Sequence, residues 1–522
     1  MRADKAKLHR YISFSAQIIF ITTVFCIQVH LLSERIDQKT VPYGDEGSWL
    51  SAATEVSRGN GFTTRWLEYP FLKPYAIPRP DDFRFPALTL LLAAAFRIFG
   101  VSYTTGLWVI ASISLIFNVL IYFSVKKIYG KPTALTVYTL TAFSLLQLMY
   151  STEIYTEVLF GTILALIVLV STRVDNSKLK WWITIGLLTG ILYLVRPNAI
   201  LFMPALCLYF LLIRKNRQIS YKYLLISTAI FLVVISPWLI RNYLHFGNPF
   251  HVAGSGGLLR TSNSDPATLS LSEFINLHGI QFFLTSILQG LPQLLKNLNS
   301  LEHGSNIIPL LFCLIAALRK HPFYNGFITS SFLFTFLACA YTARLYGWAG
   351  VRYFTPFLPF VYAYGISYFF RETSSLLERF TGRNSYYIKL YGIPAIILLL
   401  GIPLINPHRY YERIYKAKPG DSTSEYYSEL NRQISGSDIY YAGRLAQLNF
   451  ATNLRCIGIQ SLFGADDMIT AQKHFNPGLL VLTRKEFDSP RFKGLLDTLR
   501  LNGYQWSIMS ENDVALYISI TN

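Results

Sequence analysis

The chain has 522 residues, of which 52% are hydrophobic and only 15% charged, and its mean hydropathy is +0.34. So much apolar side chain excludes a soluble globular protein of this length; repeated apolar runs of roughly 17–25 residues are the mark of transmembrane helices. A formal net charge of +18 invites a nucleic-acid partner, but the basic residues sit in short connections between apolar runs, which argues against one.

Apolar runs occupy residues 11–32, 103–125, 132–150, 156–172, 181–195, 198–213, 222–240, 305–318, 322–343, 350–370 and 386–405. Between them lie basic clusters at Arg2, Lys5, Lys7 and Arg10, at Lys126, Lys127 and Lys131, and at Arg173, Lys178 and Lys180. Others follow at Arg214, Lys215 and Arg217, at Arg319 and Lys320, and at Arg371, Arg379, Arg383 and Lys389. With a cytoplasmic N-terminus these clusters fall on every second connection, as the positive-inside rule requires. The segment Phe85–Phe99 is apolar but short, and it carries Arg97. Counted as a span it inverts most later loops, so it is read as an interfacial or re-entrant helix on the outer face.

The expectation is a polytopic α-helical membrane protein of about eleven spans with the tail outside. The first run is long for a signal peptide and no small-residue cleavage site follows it, so it is read as a retained span. Of five cysteines, Cys26, Cys207, Cys313 and Cys339 lie in spans and Cys456 in the tail. That arrangement provides no outer disulfide framework, and no cluster has metal-ligand spacing.

Two long outer loops are expected, at about 33–102 and 241–304. The tail, residues 408–522, alternates strand-like runs (SDIYYAG, LRCIGI, GLLVLTR, VALYISI) with helix-like ones (DDMITAQKHF, FKGLLDTLRLNGY). This reads as a small extracytoplasmic α/β domain after a transmembrane domain of residues 1–407.

The topology gathers charged residues on the outer face. Asp45 and Glu46 follow the first span, Glu153 and Glu157 occupy the turn STEIYTEVLF, and Arg196 lies in VRPNAI. Arg241 ends PWLIR, and Arg344 and Arg352 flank a short turn. Charges near the bilayer core are costly and usually face a cavity or a partner. Taken singly, each has a plainer explanation: Arg196 and Arg241 as snorkelling residues, Glu153 and Glu157 as carboxylates favouring a helix N-terminus. Asp81-Asp82 reads as a solvated loop pair.

The succession GDEGSWLSAA, RFPALTLLLAAAFRIFG, YTEVLF, GLLTGILYLVRPNAI, PWLIRNYLHFGNPF and RYFTPFLPF resembles membrane glycosyltransferases of the GT-C fold. The similarity is to the dolichyl-phosphate-mannose protein mannosyltransferase and aminoarabinose transferase group (glycosyltransferase family 39-like), over roughly residues 10–370. It implies an enzyme that moves a sugar from a polyprenyl-phosphate carrier to a lipid, protein or glycan acceptor on the outer face. An acceptor hydroxyl needs a general base, while a lipid phosphate leaves as a stable anion and needs cations to hold it.

By resemblance Asp45 is the base, supported by Glu46; attack opposite the leaving group would invert the anomeric centre, by analogy with inverting glycosidases. Glu157 and Glu153 match the second acidic position. Lys73 and Arg84 compete for the phosphate role, because the sequence has Arg84-Phe85-Pro86 and an earlier Lys73-Pro74 where relatives commonly have Lys-Pro-Pro. Arg196, Arg241 and Arg352 complete the substrate-binding set. The helix at 85–99 is expected to offer the prenyl tail a groove. No metal site is assigned, and the resemblance leaves the use of a divalent ion open. A bacterial inner membrane is the expected location. The competing readings are a flippase or transporter of lipid-linked sugars, which the absence of an inverted repeat weakens, and a non-catalytic scaffold.

Overall fold

The computed structural model describes residues 2–39, 42, 44–68, 74–173, 178–217, 220–253, 269–279, 281–298, 307–319, 326–346, 351–373 and 392–394, and towards the C-terminus 439–442, 450, 455–458, 465–482, 487–511 and 516–521. The expected boundary near residue 408, most of the run at 386–405, and Lys73 lie outside the described residues.

Helices α1 (Arg2–Asp37), α2 (Glu46–Ser57), α3 (Pro86–Phe99), α4 (Tyr103–Tyr129), α5 (Lys131–Phe143), α6 (Leu145–Tyr150) and α7 (Glu157–Ser171) form the first half of a bundle. Then come α8 (Leu179–Val195), α9 (Phe202–Arg217), α10 (Tyr221–Phe246), α11 (Leu271–His278), α12 (Gln281–Leu298), α13 (Ile307–Leu318), α14 (Gly326–Tyr346) and α15 (Leu358–Glu372). Among the described residues, four helical segments are long and apolar enough to cross a membrane: Ser15–Asp37, Tyr103–Tyr129, Tyr221–Phe246 and Gly326–Leu345. Shorter apolar helices at Glu157–Ser171 and Leu179–Val195 pack among them.

Local chemistry explains the breaks. The run expected as one helix over 132–150 is split because Ser144 takes an extended conformation and its hydroxyl accepts the Gln147 N–H, capping α6. Pro197 and Pro356 each sit in a 3₁₀ segment, Pro197–Leu201 and Val351–Phe357, that brings the chain round at a helix end. Helix α3 starts on Pro86 at its first turn and has 14 residues. At 1.5 Å per residue it is about 21 Å long, too short for a hydrocarbon core of about 30 Å.

Connectivity sorts the charges. Helix α4 runs from Tyr103, which touches Glu46, to Lys126 and Lys127. Helix α7 begins at Glu157 and ends just before Arg173, and α8 runs from beside Lys178 back to Arg196. Helix α15 leaves from near Arg352 and ends at Arg371. One end of the bundle therefore holds the carboxylates and arginines of interest, while the other carries the lysine-rich connections.

The second core is built around a six-stranded sheet of order β2-β5-β4-β6-β8-β7. Its strands are β4 (Ile439–Ala442), β5 (Arg455–Gly458), β6 (Leu479–Leu482), β7 (Gln505–Glu511) and β8 (Leu516–Thr521), with α16 (Ala465–Phe475) and α17 (Pro490–Leu501) packed against it. The sixth strand, β2 (Trp66–Leu67), comes from the first loop and pairs in parallel with β5. A short ribbon of β1 (Thr63–Thr64) and β3 (Arg79–Pro80) closes that loop onto itself. The hydrophobic pattern of QWSIMSE is interrupted by a bulge between Ile508 and Ser510, which hid β7 from a strand reading.

Candidate active site

Asp45 and Glu46 are neighbours with different fates. Glu46 opens α2 and its side chain is buried. Its carboxylate accepts the Tyr103 hydroxyl at 2.7 Å and the Ile154 N–H at 3.0 Å, and lies 3.3 Å from the Lys39 ammonium. It thus ties together the end of α1, the start of α4 and the turn before α7. Asp45, by contrast, keeps 41% of its side chain exposed. Gly44 precedes it at φ +57°, and a Cβ there would lie 3.2 Å from the Tyr155 hydroxyl, so a side chain meets both backbone strain and a close neighbour.

Three arginines surround these carboxylates. Arg84 reaches Asp45 at 3.0 Å and donates to the Ser48 hydroxyl at 2.5 Å, with Trp49 and Phe83 against its guanidinium at 5.0 and 4.8 Å. Arg352 lies 3.9 Å from Asp45 and 3.5 Å from Glu157, above the Tyr155 ring. Arg196 pairs closely with Glu157, donates to the Thr156 hydroxyl and lies over Tyr353. Glu157 itself is buried at the first turn of α7. The result is a continuous chain, Arg84–Asp45–Arg352–Glu157–Arg196, in which only Asp45 is a substantially exposed carboxylate.

Electrostatics follow from the geometry. The Arg84 guanidinium holds the Asp45 carboxyl below its ordinary range, burial opposes it, and Arg352 adds to the lowering. Arg352 lies between two anions, Glu157 and Asp45.

A second charged cluster lies beside the first. The Asp81-Asp82 pair, expected to be solvated, is buried, with Asp81 fully enclosed. One oxygen of Asp81 accepts the N–H groups of Phe83 and Arg84 at 2.7 and 3.1 Å, fixing the turn before α3. Asp82 pairs with Arg79 and, at 3.0 Å, with His251. Burial pushes the Asp81 carboxyl up to about 6, against the Phe83 hydrogen bond. For Asp82 burial acts in the same direction, but the His251 hydrogen bond and Arg79 outweigh it, and its carboxyl sits below the ordinary value.

Arg241 belongs to this second cluster. It donates to the Phe62 carbonyl at 3.1 Å and to Asn242 at 2.9 Å, over the Trp238 ring. Glu153 is buried near Tyr150 and Tyr155, its carbonyl accepting the Tyr155 N–H at 2.8 Å. Sequence reasoning did not single out Ser48 and Trp49, one helical turn beyond Asp45, although that spacing places them on its side of α2. It also gave no signal for Lys39, Tyr103 or His251, whose roles depend on packing between distant segments. Among the described residues no group of three or more histidine, cysteine, aspartate or glutamate side chains is placed to hold a metal.

With this geometry in hand, the comparisons fall into place. Residues 79–240 match the family described as dolichyl-phosphate-mannose-protein mannosyltransferase. The structure is similar to that of ArnT from Cupriavidus metallidurans bound to undecaprenyl phosphate, with a TM-score of 0.60 and 10% identity over 96% of this chain and 97% of that one. It is also similar to the oligosaccharyltransferase AglB from Archaeoglobus fulgidus in complex with an inhibitory peptide and a dolichol-phosphate. There the TM-score is 0.57 and the identity 12%, over 97% of this chain and 74% of that one. No curated protein sequence matches the chain. The resemblance to GT-C membrane glycosyltransferases read from the motif order stands in the fold as well.

Proposed function

We propose that the chain is a glycosyltransferase that moves a sugar from a polyprenyl-phosphate carrier to an acceptor hydroxyl at the outer membrane face. The observation that carries this reading is the Arg84–Asp45–Arg352–Glu157–Arg196 chain with its exposed aspartate. Three guanidinium groups face two carboxylates, an excess of one positive charge that suits a phosphodiester donor. The acceptor oxygen attacks the anomeric carbon, the carbon–oxygen bond to phosphate breaks with its electron pair, and Asp45 takes the hydroxyl proton. Protonation of Asp45 raises the excess to two, which suits the lipid phosphate monoester and its charge of about −1.5 to −2. The site is thus balanced before and after transfer without a general acid. Attack opposite the leaving group inverts the anomeric centre.

Arg84 and Arg352 hold the phosphate in this scheme. Glu157 keeps Arg352 and Arg196 in place, and Glu46 acts as a positioning residue. Helix α3 begins two residues after Arg84 and leaves Leu90, Leu91, Ile98 and Phe99 exposed, an apolar surface for a prenyl tail next to the phosphate. The lysine-rich connections at the other end of the bundle support an outward-facing site. The carboxy-terminal layer from about residue 408 is then extracytoplasmic.

The test is Asp45→Asn in membranes supplied with a radiolabelled polyprenyl-phosphate sugar. Transfer falls by about 10²–10⁴-fold while insertion and thermal stability are kept. Full transfer by an inserted, folded Asp45→Asn protein overturns the assignment.

A further inference from the structure

The geometry points to the C-terminal sheet as the element that positions Arg84, acting through Trp66 and Phe83; this rests on Arg84 binding the donor phosphate. The first loop is seated at two places, one on that sheet and one on the helix α16 packed against it. The Cys456 N–H donates to the Arg65 carbonyl at 3.0 Å, Trp66 pairs with Cys456, and Leu67 pairs with Ile457 and is buried in the C-terminal core. Further along, the Tyr75 ring stacks on His474 of α16 with centroids 4.0 Å apart and planes within 13°, and Tyr75 and Ile77 pack on the same core.

From this seat, contacts run back to the site by two routes. On one, Arg65 pairs with Glu55 at 3.2 Å, and Glu55 lies on α2, the helix that begins beside Asp45. On the other, the buried Trp66 ring meets Phe83 edge-on at 5.5 Å, and Phe83 lies against the Arg84 guanidinium at 4.8 Å. The contacts from Cys456 through Trp66 and Phe83 to Arg84 are unbroken.

The physical need is plain. An arginine side chain has large rotamer entropy, and a guanidinium aimed at a phosphate gains from having that freedom removed in advance. Aromatic faces do this through cation–π attraction and packing. The ring that Phe83 meets, Trp66, is fixed by the β2–β5 ladder and by burial. Phe83 and Trp66 are therefore positioning residues, and a layer that contributes no reacting group governs how well the donor is held.

Four variants of the full-length chain test this, with binding of undecaprenyl phosphate and the donor KM as readouts. Phe83→Leu keeps apolar volume without a ring; it weakens binding and raises donor KM by roughly 3–10-fold, with kcat within about twofold. Phe83→Tyr restores both. His474→Ala touches the loop only from the C-terminal side; it shifts both quantities in the same direction by roughly 2–3-fold. Arg84→Ala is the reference and abolishes the advantage. If Arg84→Ala weakens binding while Phe83→Leu and His474→Ala alter only thermal stability, the positioning role is overturned. If Arg84→Ala leaves undecaprenyl phosphate binding unchanged, the phosphate site itself is wrong, and the positioning role falls with it.

Discussion

The two charged clusters at the site end use the same residue types to opposite ends. In the first, Asp45 is 41% exposed, cations exceed anions, and Arg352 bridges Asp45 and Glu157 at 3.9 and 3.5 Å, distances that leave room for closer partners. In the second, Asp81 and Asp82 are buried and bonded to backbone N–H groups, Arg79 and His251, and Arg241 is turned onto a carbonyl. A surplus of charge and an open carboxylate make a receiving site; matched charges, burial and bonds to the backbone make a fastening. Adjacent carboxylates in a loop do not announce which they are.

The contrast breaks most sharply at Glu157. Replacing it with Leu leaves the buried Arg196 without its anion and takes from Arg352 one of its two, and the thermal midpoint of the purified protein falls by the equivalent of about 3–5 kcal/mol. A loss confined to transfer rate would place Glu157 with the substrate instead.

Asp81 tests the second cluster through pH. Its carboxyl rises from 3.8 to about 6 on folding, so the folded chain binds the proton more tightly than the unfolded one. The stability it contributes is present below about pH 4 and is lost as pH climbs through about 6. Asp81→Asn keeps an oxygen acceptor for Phe83 and Arg84 and removes that loss. It stabilises the protein by about 3 kcal/mol at pH 8, with the gain vanishing near pH 4. Thermal midpoints of the two proteins plotted against pH meet near pH 4 and diverge towards pH 8 if Asp81 titrates as described, and run parallel if it does not.

The smallest effect is expected at Arg241. Arg241→Lys loses the fit to the Phe62 carbonyl and the Trp238 ring and lowers stability by about 1 kcal/mol, with donor KM within about twofold. A tenfold rise in donor KM would return Arg241 to the substrate side and merge the two clusters.

Much of this was legible in the order of the residues. Apolar periodicity with basic connections gave the bundle, and the topology they imply gathered Asp45, Glu157, Arg196 and Arg352 at one end. The short helix after Arg84 was marked by its length and by Arg97. What escaped is what depends on partners far away in the chain. Glu46 and Asp45 look alike in DEG, and only Lys39, Tyr103 and the Ile154 N–H separate them. Asp82 reads as a loop charge until His251, 169 positions later, closes on it. A two-residue strand such as Trp66–Leu67 has too few positions to show any alternation.

That strand has a consequence for how the molecule comes into being. Leu67 finds its partner at Ile457, so at 5–20 residues per second roughly 20–80 s of synthesis separate the two. Through that interval the helices already made have inserted, yet the loop bearing Arg84 lacks its seat. On the proposed reading, the nascent chain gains a firm hold on a lipid donor only after β5 has been made, long after the helices that carry the charged site.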